Sequence, residues 1–150
     1  MAGLDDAGVL NFRRLSPTLT TSGQPSEAQF AAIRDAGVRT VINLALTDSP
    51  GALPDEPGTL AALGLRYVHI PVDFKNPTEA DFTRFCEAID EIGDAPVHIH
   101  CAANYRVSAF LYRYRRTVLG WTEEDAKPDL DAIWTPDPVW EAFLPGDCAR

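Results

Sequence analysis

Two kinds of hydrophobic pattern alternate along the chain. Short apolar runs rich in β-branched residues are typical of buried strands, and three of them lie at residues 40–44, 66–72 and 96–100. Apolar residues at helical spacing predict helices over 27–35, near 59–63, over 79–92 and over about 107–119. Strands that alternate with helices require crossover connections. We therefore expect an α/β fold with a mainly parallel central sheet and helices on both faces.

Local turn chemistry sets the ends of these elements. Ser26 followed by Gln29 forms a capping box that starts a helix at Glu27, and Thr78 is placed to cap the helix after the second strand. Segments 22–26, 47–58 and 73–77 are rich in Pro, Gly, Ser, Asp and Asn and predict turns or surface loops.

Residues 121–150 are expected to be helical or irregular, with an aromatic cluster as their anchor. The cluster consists of Trp134, Trp140 and Phe143. Aromatic side chains of this size usually pack into a core, and the alternative is a binding surface.

Size and charge limit the classes of function. A chain of 150 residues with 45% hydrophobic residues predicts one domain over 1–150, a monomer by default. A net charge of -9 argues against binding to nucleic acid or to an anionic membrane, so any basic pocket must be local. No run approaches the roughly 20 apolar residues of a membrane helix, and the first ten residues carry acids, which predicts a cytoplasmic protein.

The three cysteines are expected to be separate thiols. Their spacing fits no paired-cysteine zinc site. Cys86 lies among the apolar positions of a helix, and Cys148 lies in a polar tail, although a disulfide with Cys101 remains an alternative. Strand alternation places His98 and His100 on one face and Cys101 on the other, so we expect no metal site and no cofactor.

The candidate chemistry lies in the loop that follows the third predicted strand. His100 and Cys101 end the strand, four residues follow, and Arg106 precedes a helix. The helix dipole and the guanidinium both favour a thiolate on Cys101, and Arg106 can grip an anion with two N–H groups. The loop has no glycine, so Asn104 is the residue expected to take any positive φ.

These residues resemble the signature loop of protein tyrosine and dual-specificity phosphatases, which is His-Cys, five residues, Arg and then Ser or Thr. Segment 36–44 resembles the Gly-Ile-Thr-His-Val-Leu-Asn segment of dual-specificity enzymes, and 67–82 resembles their general-acid strand and loop. Ser22-Gly23-Gln24-Pro25 and the His-Cys-x4-Arg loop are similar to the phosphatase-like domain of bacterial beta-lactamase-hydrolase-like proteins. The resemblance covers about residues 12–120.

The resemblance implies a role for each site residue. Cys101 would be the nucleophile, Arg106 the oxyanion clamp, Asp73 the general acid, and His100 a residue that tunes the cysteine. The phosphate cradle would consist of the intervening loop residues, which are Ala102, Ala103, Asn104 and Tyr105.

Two departures from the signature keep other functions open. The loop encloses four residues instead of five, and Val107 replaces the hydroxyl residue, with Ser108 one position further on. A four-residue loop is similar to that of rhodanese-type sulfurtransferases, which hold a persulfide on the cysteine. We therefore expect a cysteine-dependent phosphomonoesterase acting on a phosphorylated substrate, with a sulfurtransferase or an inactive module that binds a small anion as alternatives.

Overall fold

The structure is a computed structural model that describes residues 8–144, and its centre is a five-stranded sheet. The strands are β1 (Arg13–Ser16), β2 (Leu19–Ser22), β3 (Thr40–Asn43), β4 (Arg66–His69) and β5 (Val97–His100). Their order in the sheet is β1-β2-β5-β3-β4, and only the edge pair β1 and β2 is antiparallel. The predicted mainly parallel α/β sheet is confirmed. The first two strands were not predicted, because RRLS and LTTS contain no apolar run.

Six helices surround the sheet in the described part of the chain. They are α1 (Glu27–Asp35), α2 (Glu56–Ala62), α3 (Glu79–Ile92), α4 (Tyr105–Thr117), α5 (Glu123–Asp131) and α6 (Pro138–Phe143). The capping box at Ser26 and the cap at Thr78 are confirmed.

Two helices begin earlier than the sequence predicted. The surface loop predicted for 47–58 is wrong at its end, because Asp55 caps α2 and Pro57 suits its first turn. Helix α4 begins at Tyr105, so Arg106 lies in its first turn and not in the loop before it. The start of α4 is set by the tertiary contacts of Asn104, the residue before it, and local helix propensity does not reveal these contacts.

The sheet has a hydrophobic core on each face. On one face, Ile42, Val97 and Ile99 pack with α3, α4 and the aromatic residues of α6. On the other face, Val41 packs with Phe30 and Ile33 of α1 and with Leu60 of α2. Alternation along β3 therefore sends successive side chains to different cores, as a strand buried on both faces requires.

His98 is a polar residue inside this framework, where burial keeps it neutral and hydrogen bonds satisfy both ring nitrogens. Its Nε2 lies 2.8 Å from the Ser22 hydroxyl, which donates to the Gly23 carbonyl and therefore accepts from the ring. Its Nδ1 then accepts from the Thr20 hydroxyl at 2.7 Å. Burial, helped by the nearby charge of His100, lowers the pKa of His98 to about 3.

None of the helices within residues 8–144 combines the length and the apolar character needed to cross a membrane.

The buried neutral state of His98 predicts a pH-dependent stability. The unfolded chain binds a proton below about pH 6.5 whereas the folded chain does not until about pH 3, so stability is lost as pH falls through this window. At roughly pH 4.5 the loss reaches about 2.7 kcal/mol. A His98→Gln variant keeps two hydrogen-bonding groups and does not titrate. The free energy of unfolding in urea is measured for wild type and variant at neutral pH and at about pH 4.5. The difference between the two proteins should narrow by about 2–3 kcal/mol at the lower pH. An equal difference at the two pH values would contradict the prediction.

Candidate active site

The candidate site lies where the three central strands end together. β5 pairs with β2 and β3 in parallel, and Ser22, His100 and Asn43 are register partners at the last position of each strand. Cys101 follows His100 directly, so it leaves the sheet at the carboxyl edge between two neighbouring strands. This edge is the place where open α/β sheets bind ligands.

The carbonyl groups of three consecutive loop residues are held from behind by hydrogen bonds. The donors are His100 Nδ1 to Cys101 (3.2 Å), the Gln24 amide to Ala102 (3.0 Å) and Asn11 Nδ2 to Ala103 (2.9 Å). The C=O and N–H groups of a trans peptide point in opposite directions. The next three amide N–H groups along the chain are therefore turned to the inner side of the loop, where they can bind an anion.

Asn104 has the left-handed conformation expected from the sequence. Its φ is 69°, and its fully buried side chain donates through Nδ2 to the Asn11 carbonyl (2.9 Å) and the Thr21 hydroxyl (3.1 Å). These bonds anchor the loop to the β1–β2 side of the sheet. The side chain points away from the pocket, so Asn104 can contact a ligand only through its backbone.

Helix α4 begins without a side-chain cap. In each of the other five helices of the described chain, the side chain of the N-cap residue accepts a hydrogen bond from a backbone N–H of the first turn. These N-cap residues are Ser26, Asp55, Thr78, Thr122 and Asp137. Asn104 makes no such bond at the start of α4. The first-turn N–H groups of this helix therefore lack a side-chain acceptor, and their partial positive charge favours an anion.

Arg106 is a buried cation that lacks an acidic partner. Its side chain is anchored by a 2.9 Å hydrogen bond from Nη1 to the Val72 carbonyl, and its Nε is buried without a hydrogen-bond partner. Only 6% of the residue is exposed, and no carboxylate within residues 8–144 forms an ion pair with it. A desolvated guanidinium in this state is stabilised by an anion, which can accept from Nε and from the other N–H groups that do not bind Val72.

A pocket of about 280 Å³ brings the two central residues together. It is lined by Cys101, Arg106, Ala102, Ala103, Tyr105, Phe74 and Pro50. Cys101 lies at its floor and has no exposed surface. Four residues expected at the site thus share one pocket with Arg106, namely Cys101, Ala102, Ala103 and Tyr105. Asn104 does not line the pocket, and its side chain anchors the loop to Asn11 and Thr21.

Aromatic side chains form one wall of this pocket. The Tyr105 ring stacks in parallel on Trp134 at 4.5 Å, and Phe74 packs against Trp134 and Trp140. Trp140 also donates through Nε1 to the Phe74 carbonyl at 2.8 Å. The expected packing of the C-terminal aromatics is confirmed, since Trp140 and Phe143 are buried in the core, and the same cluster reaches the pocket mouth.

Asp73 lies on an exposed turn beside the pocket. Its Oδ1 accepts a 2.9 Å hydrogen bond from the Lys75 amide, and its side chain is absent from the pocket wall. Its two neighbours are fixed, because the Val72 carbonyl binds Arg106 and the Phe74 carbonyl binds Trp140. The backbone on either side of Asp73 is thus tied to both the anion site and the aromatic cluster.

The structure gives His100 two hydrogen-bond partners. Its Nδ1 reaches the Cys101 carbonyl, and its Nε2 lies 2.7 Å from Glu56 Oε2. Ser108, in contrast, does not replace the hydroxyl that Val107 lacks, because its Oγ donates to the Tyr105 carbonyl within α4.

Like Asn11, Glu56 and Gln24 contribute to the site in a way that the sequence did not reveal. The sequence predicts a surface loop at Glu56, yet only 5% of this residue is exposed. Its carboxylate contacts the His100 side chain at the end of β5. Gln24 belongs to the Ser-Gly-Gln-Pro segment, which resembled known phosphatase-like domains but carried no chemical signal of its own. Its backbone N–H donates to the Ala102 carbonyl, and its side-chain Nε2 donates to Glu56.

The second described cysteine has a different environment. Cys86 is a half-buried free thiol on α3, and burial, with Asp90 nearby, raises its pKa to about 11. Cys101 is also a free thiol. Cys148 lies outside the described residues, so a disulfide between it and Cys101 stays untested.

Comparisons with known proteins agree on one family. A family model whose description is DSP-PTPase phosphatase fused to NAD+ kinase matches residues 11–133. A beta-lactamase hydrolase-like protein of Agrobacterium fabrum is 34% identical over 99 residues, which cover 62% of this chain and 22% of that protein. The dual specificity protein phosphatase TpbA of Pseudomonas aeruginosa is 28% identical over 81% of this chain and 53% of its own length.

A solved structure gives the same fold over nearly the whole chain. A DUF442 protein from Shewanella putrefaciens CN-32 is 36% identical, has a TM-score of 0.80, and is matched over 91% of this chain and 90% of that chain. By contrast, the chain spans about a fifth of the Agrobacterium relative and about half of TpbA.

Crowding at Gly23 predicts that this glycine sets the shape of the loop. A Cβ at Gly23 would lie 2.7 Å from the Ala102 carbonyl and 3.1 Å from the Ala103 Cα, both backbone atoms. Gly23→Ala should therefore displace the loop, cost about 1–3 kcal/mol of stability, and weaken phosphate binding at least tenfold in calorimetry. In the control Gly64→Ala the Cβ meets nothing within 4 Å, so the strain of its positive φ should lower stability without changing phosphate affinity. Equal phosphate affinity in the Gly23 variant and wild type would contradict the prediction.

Proposed function

This chain belongs to the DSP-PTPase phosphatase family, and we propose that it hydrolyses phosphomonoesters through a phosphocysteine intermediate on Cys101. The observation that carries the proposal is the buried Arg106, whose Nε lacks a partner and which shares a pocket with Cys101. A tetrahedral dianion would supply the missing acceptor. The uncapped start of α4 and the inward amides would bind its other oxygens.

The proposed reaction has two steps, and the Asp73 side chain would turn from the Lys75 amide to the leaving group. The Cys101 thiolate attacks phosphorus, a P–S bond forms, the P–O bond to the leaving group breaks, and the leaving oxygen takes a proton from the Asp73 carboxyl. Water then attacks phosphorus and gives a proton to the Asp73 carboxylate, and the P–S bond breaks to return the thiolate. Arg106 and the loop amides balance the charge on the equatorial oxygens throughout.

The role of Asp73 is supported by the residues on either side of it. The carbonyl before it is bonded to Arg106 and the carbonyl after it to Trp140, so the backbone at Asp73 is fixed relative to the anion site. Because Cys101 has no exposed surface, attack on a substrate would require a small movement of the residues that line the pocket with it.

The pocket walls support an aryl phosphate, such as phosphotyrosine, as the substrate. Phe74 and Tyr105 line the pocket, and its one charged lining residue is Arg106. A flat leaving group can pack against these rings, whereas a polyphosphorylated ligand would find few further cations on a chain with a net charge of -9. A phosphorylated protein or small aryl phosphate is therefore the partner that we propose.

The first test is a paired assay on the reduced protein. Release of phosphate from an aryl phosphate should fall by about 1,000-fold or more in Cys101→Ser. The matched control Cys86→Ser removes a thiol outside the site and should keep full activity. Thiocyanate formation from thiosulfate and cyanide, without phosphate release, would instead support sulfur transfer on the four-residue loop. Phosphate binding without either reaction would support an inactive binding module.

A second test addresses the proton donor. Asp73→Asn should slow hydrolysis of phenyl phosphate by about 100-fold, because the phenolate leaves poorly without a proton. A dinitrophenyl phosphate, whose leaving group needs no proton, should be much less affected. The exposed Asp94→Asn serves as a control for the loss of one carboxylate. Equal rates on phenyl phosphate for wild type and Asp73→Asn would exclude Asp73 as the general acid.

A further inference from the structure

A buried carboxylate lies behind the candidate nucleophile, on the side of the loop away from the pocket. Glu56 is the first residue of α2, and its side chain returns to the carboxyl ends of the strands. Oε2 is 2.7 Å from His100 Nε2, and Oε1 accepts a 2.9 Å hydrogen bond from Gln24 Nε2. Both carboxylate oxygens are therefore engaged, one of them by the residue that precedes Cys101.

The hydrogen-bond directions show which atoms of His100 and Glu56 carry hydrogens. The Cys101 carbonyl can only accept, so His100 Nδ1 carries a hydrogen. His100 Nε2 faces the Glu56 carboxyl, and one more proton must lie between these two atoms. Burial raises the pKa of Glu56, but hydrogen bonds and the charge of His100 outweigh it, so the pKa is lowered overall. The two contacts thus place a hydrogen on each ring nitrogen of His100, with Glu56 as the acceptor of one of them.

The groups around this pair do not neutralise the imidazolium. His98, two residues earlier on the same face of β5, is held neutral by burial and by Thr20 and Ser22. The Phe30 ring of α1 packs edge-on against His100 with ring centroids 5.6 Å apart. His69 from β4 also acts on Glu56 and lowers its pKa, so it favours the carboxylate form. The Tyr67 hydroxyl of β4 faces Glu56 as well, and burial, with this carboxylate nearby, raises the pKa of Tyr67 to about 12, so it stays neutral.

We propose that Glu56 is a positioning residue for the nucleophile. Its carboxylate, held by Gln24, keeps the His100 ring doubly protonated and oriented so that it binds the Cys101 carbonyl and sets a positive charge beside the thiolate. The hydrogen bond from His100 Nδ1 also fixes the Cys101 carbonyl, and the N–H of the same peptide group, which belongs to Ala102, faces the pocket. This inference rests on the proposed function of Cys101 as a nucleophile, although its test does not require turnover.

The test measures the reactivity of Cys101 in the Cys86→Ser background, with the alkylated residue identified by mass spectrometry. Iodoacetamide alkylation is followed from pH 5 to pH 9 in the parent, in Glu56→Gln and in Asp55→Asn. Asp55 is the adjacent carboxylate; it caps α2 by accepting from the Gly58 amide and does not contact His100, and Asn is an equally good cap. The two variants therefore lose the same charge at neighbouring positions.

Glu56→Gln should lower the alkylation rate at pH 6 by five- to tenfold, leave the rate at pH 9 nearly unchanged, and shift the whole profile to higher pH. Asp55→Asn should follow the parent. A role of Glu56 in stability alone would lower the melting temperature without moving the profile, and coincident profiles for the two variants would overturn the proposal. If the profile shifts while the parent releases no phosphate, the proposed phosphatase function fails and this inference stands.

A measurement on the unmodified protein covers the case in which Glu56→Gln does not fold. The ¹⁵N chemical shifts of the His100 ring distinguish a doubly protonated imidazolium from either neutral tautomer. Two protonated nitrogens at pH 7 are expected for His100, beside a neutral His98 in the same spectrum. A neutral His100 ring with one unprotonated nitrogen would overturn the proposal.

Discussion

The site depends on the hydrogen bonds that turn the loop carbonyls after β5 away from the pocket. Each of the carbonyls of Cys101, Ala102 and Ala103 has its own donor, and the donors come from three different parts of the chain. Each bond is worth only about 1 kcal/mol in stability. Together they fix which side of the loop presents N–H groups, and without that orientation neither the helix dipole nor Arg106 could act on a common anion.

The positive character of the site is local and built mostly from backbone. The chain carries a net charge of -9, and among residues 8–144 the one cation that lines the pocket is Arg106, which is bonded to a carbonyl and not to an acid. Helix α4 adds the partial charge of an N-terminus that lacks a side-chain cap, unlike the other five helices of the described residues. Among the other arginines of the described chain, the buried Arg115 pairs with Asp129 and the half-buried Arg113 pairs with Glu79. Arg39 and Arg116, which are not buried, bind backbone carbonyls. Arg106 differs from these arginines in being buried without an acidic partner, a state that an anion beside it would stabilise.

The aromatic residues between α5 and the end of α6 shape the site through packing. Trp140 packs in the core and donates to the Phe74 carbonyl, while Trp134 stacks on Tyr105. The loop that carries Asp73 is thereby connected both to α6 and, through Val72, to Arg106. Core packing and shaping of the pocket are carried out by the same aromatic cluster, so a substitution chosen to alter specificity here would also affect stability.

The sequence by itself determined the α/β order of the elements, the capping of α1 and α3, the positive φ of Asn104 and the pairing of Cys101 with Arg106. These features depend on neighbours within a few residues, where hydrophobic period, caps and loop length leave a direct signal. Only the tertiary structure decided the β1–β2 hairpin, the early start of α4, and the contacts of Glu56, Gln24 and Asn11 with the loop. Asn11 and Gln24 bind backbone carbonyls of the loop, 92 positions away for Asn11, and a backbone carbonyl has no side-chain identity that a sequence pattern could record. Glu56 binds the His100 side chain 44 positions away, a distance over which local spacing leaves no signal.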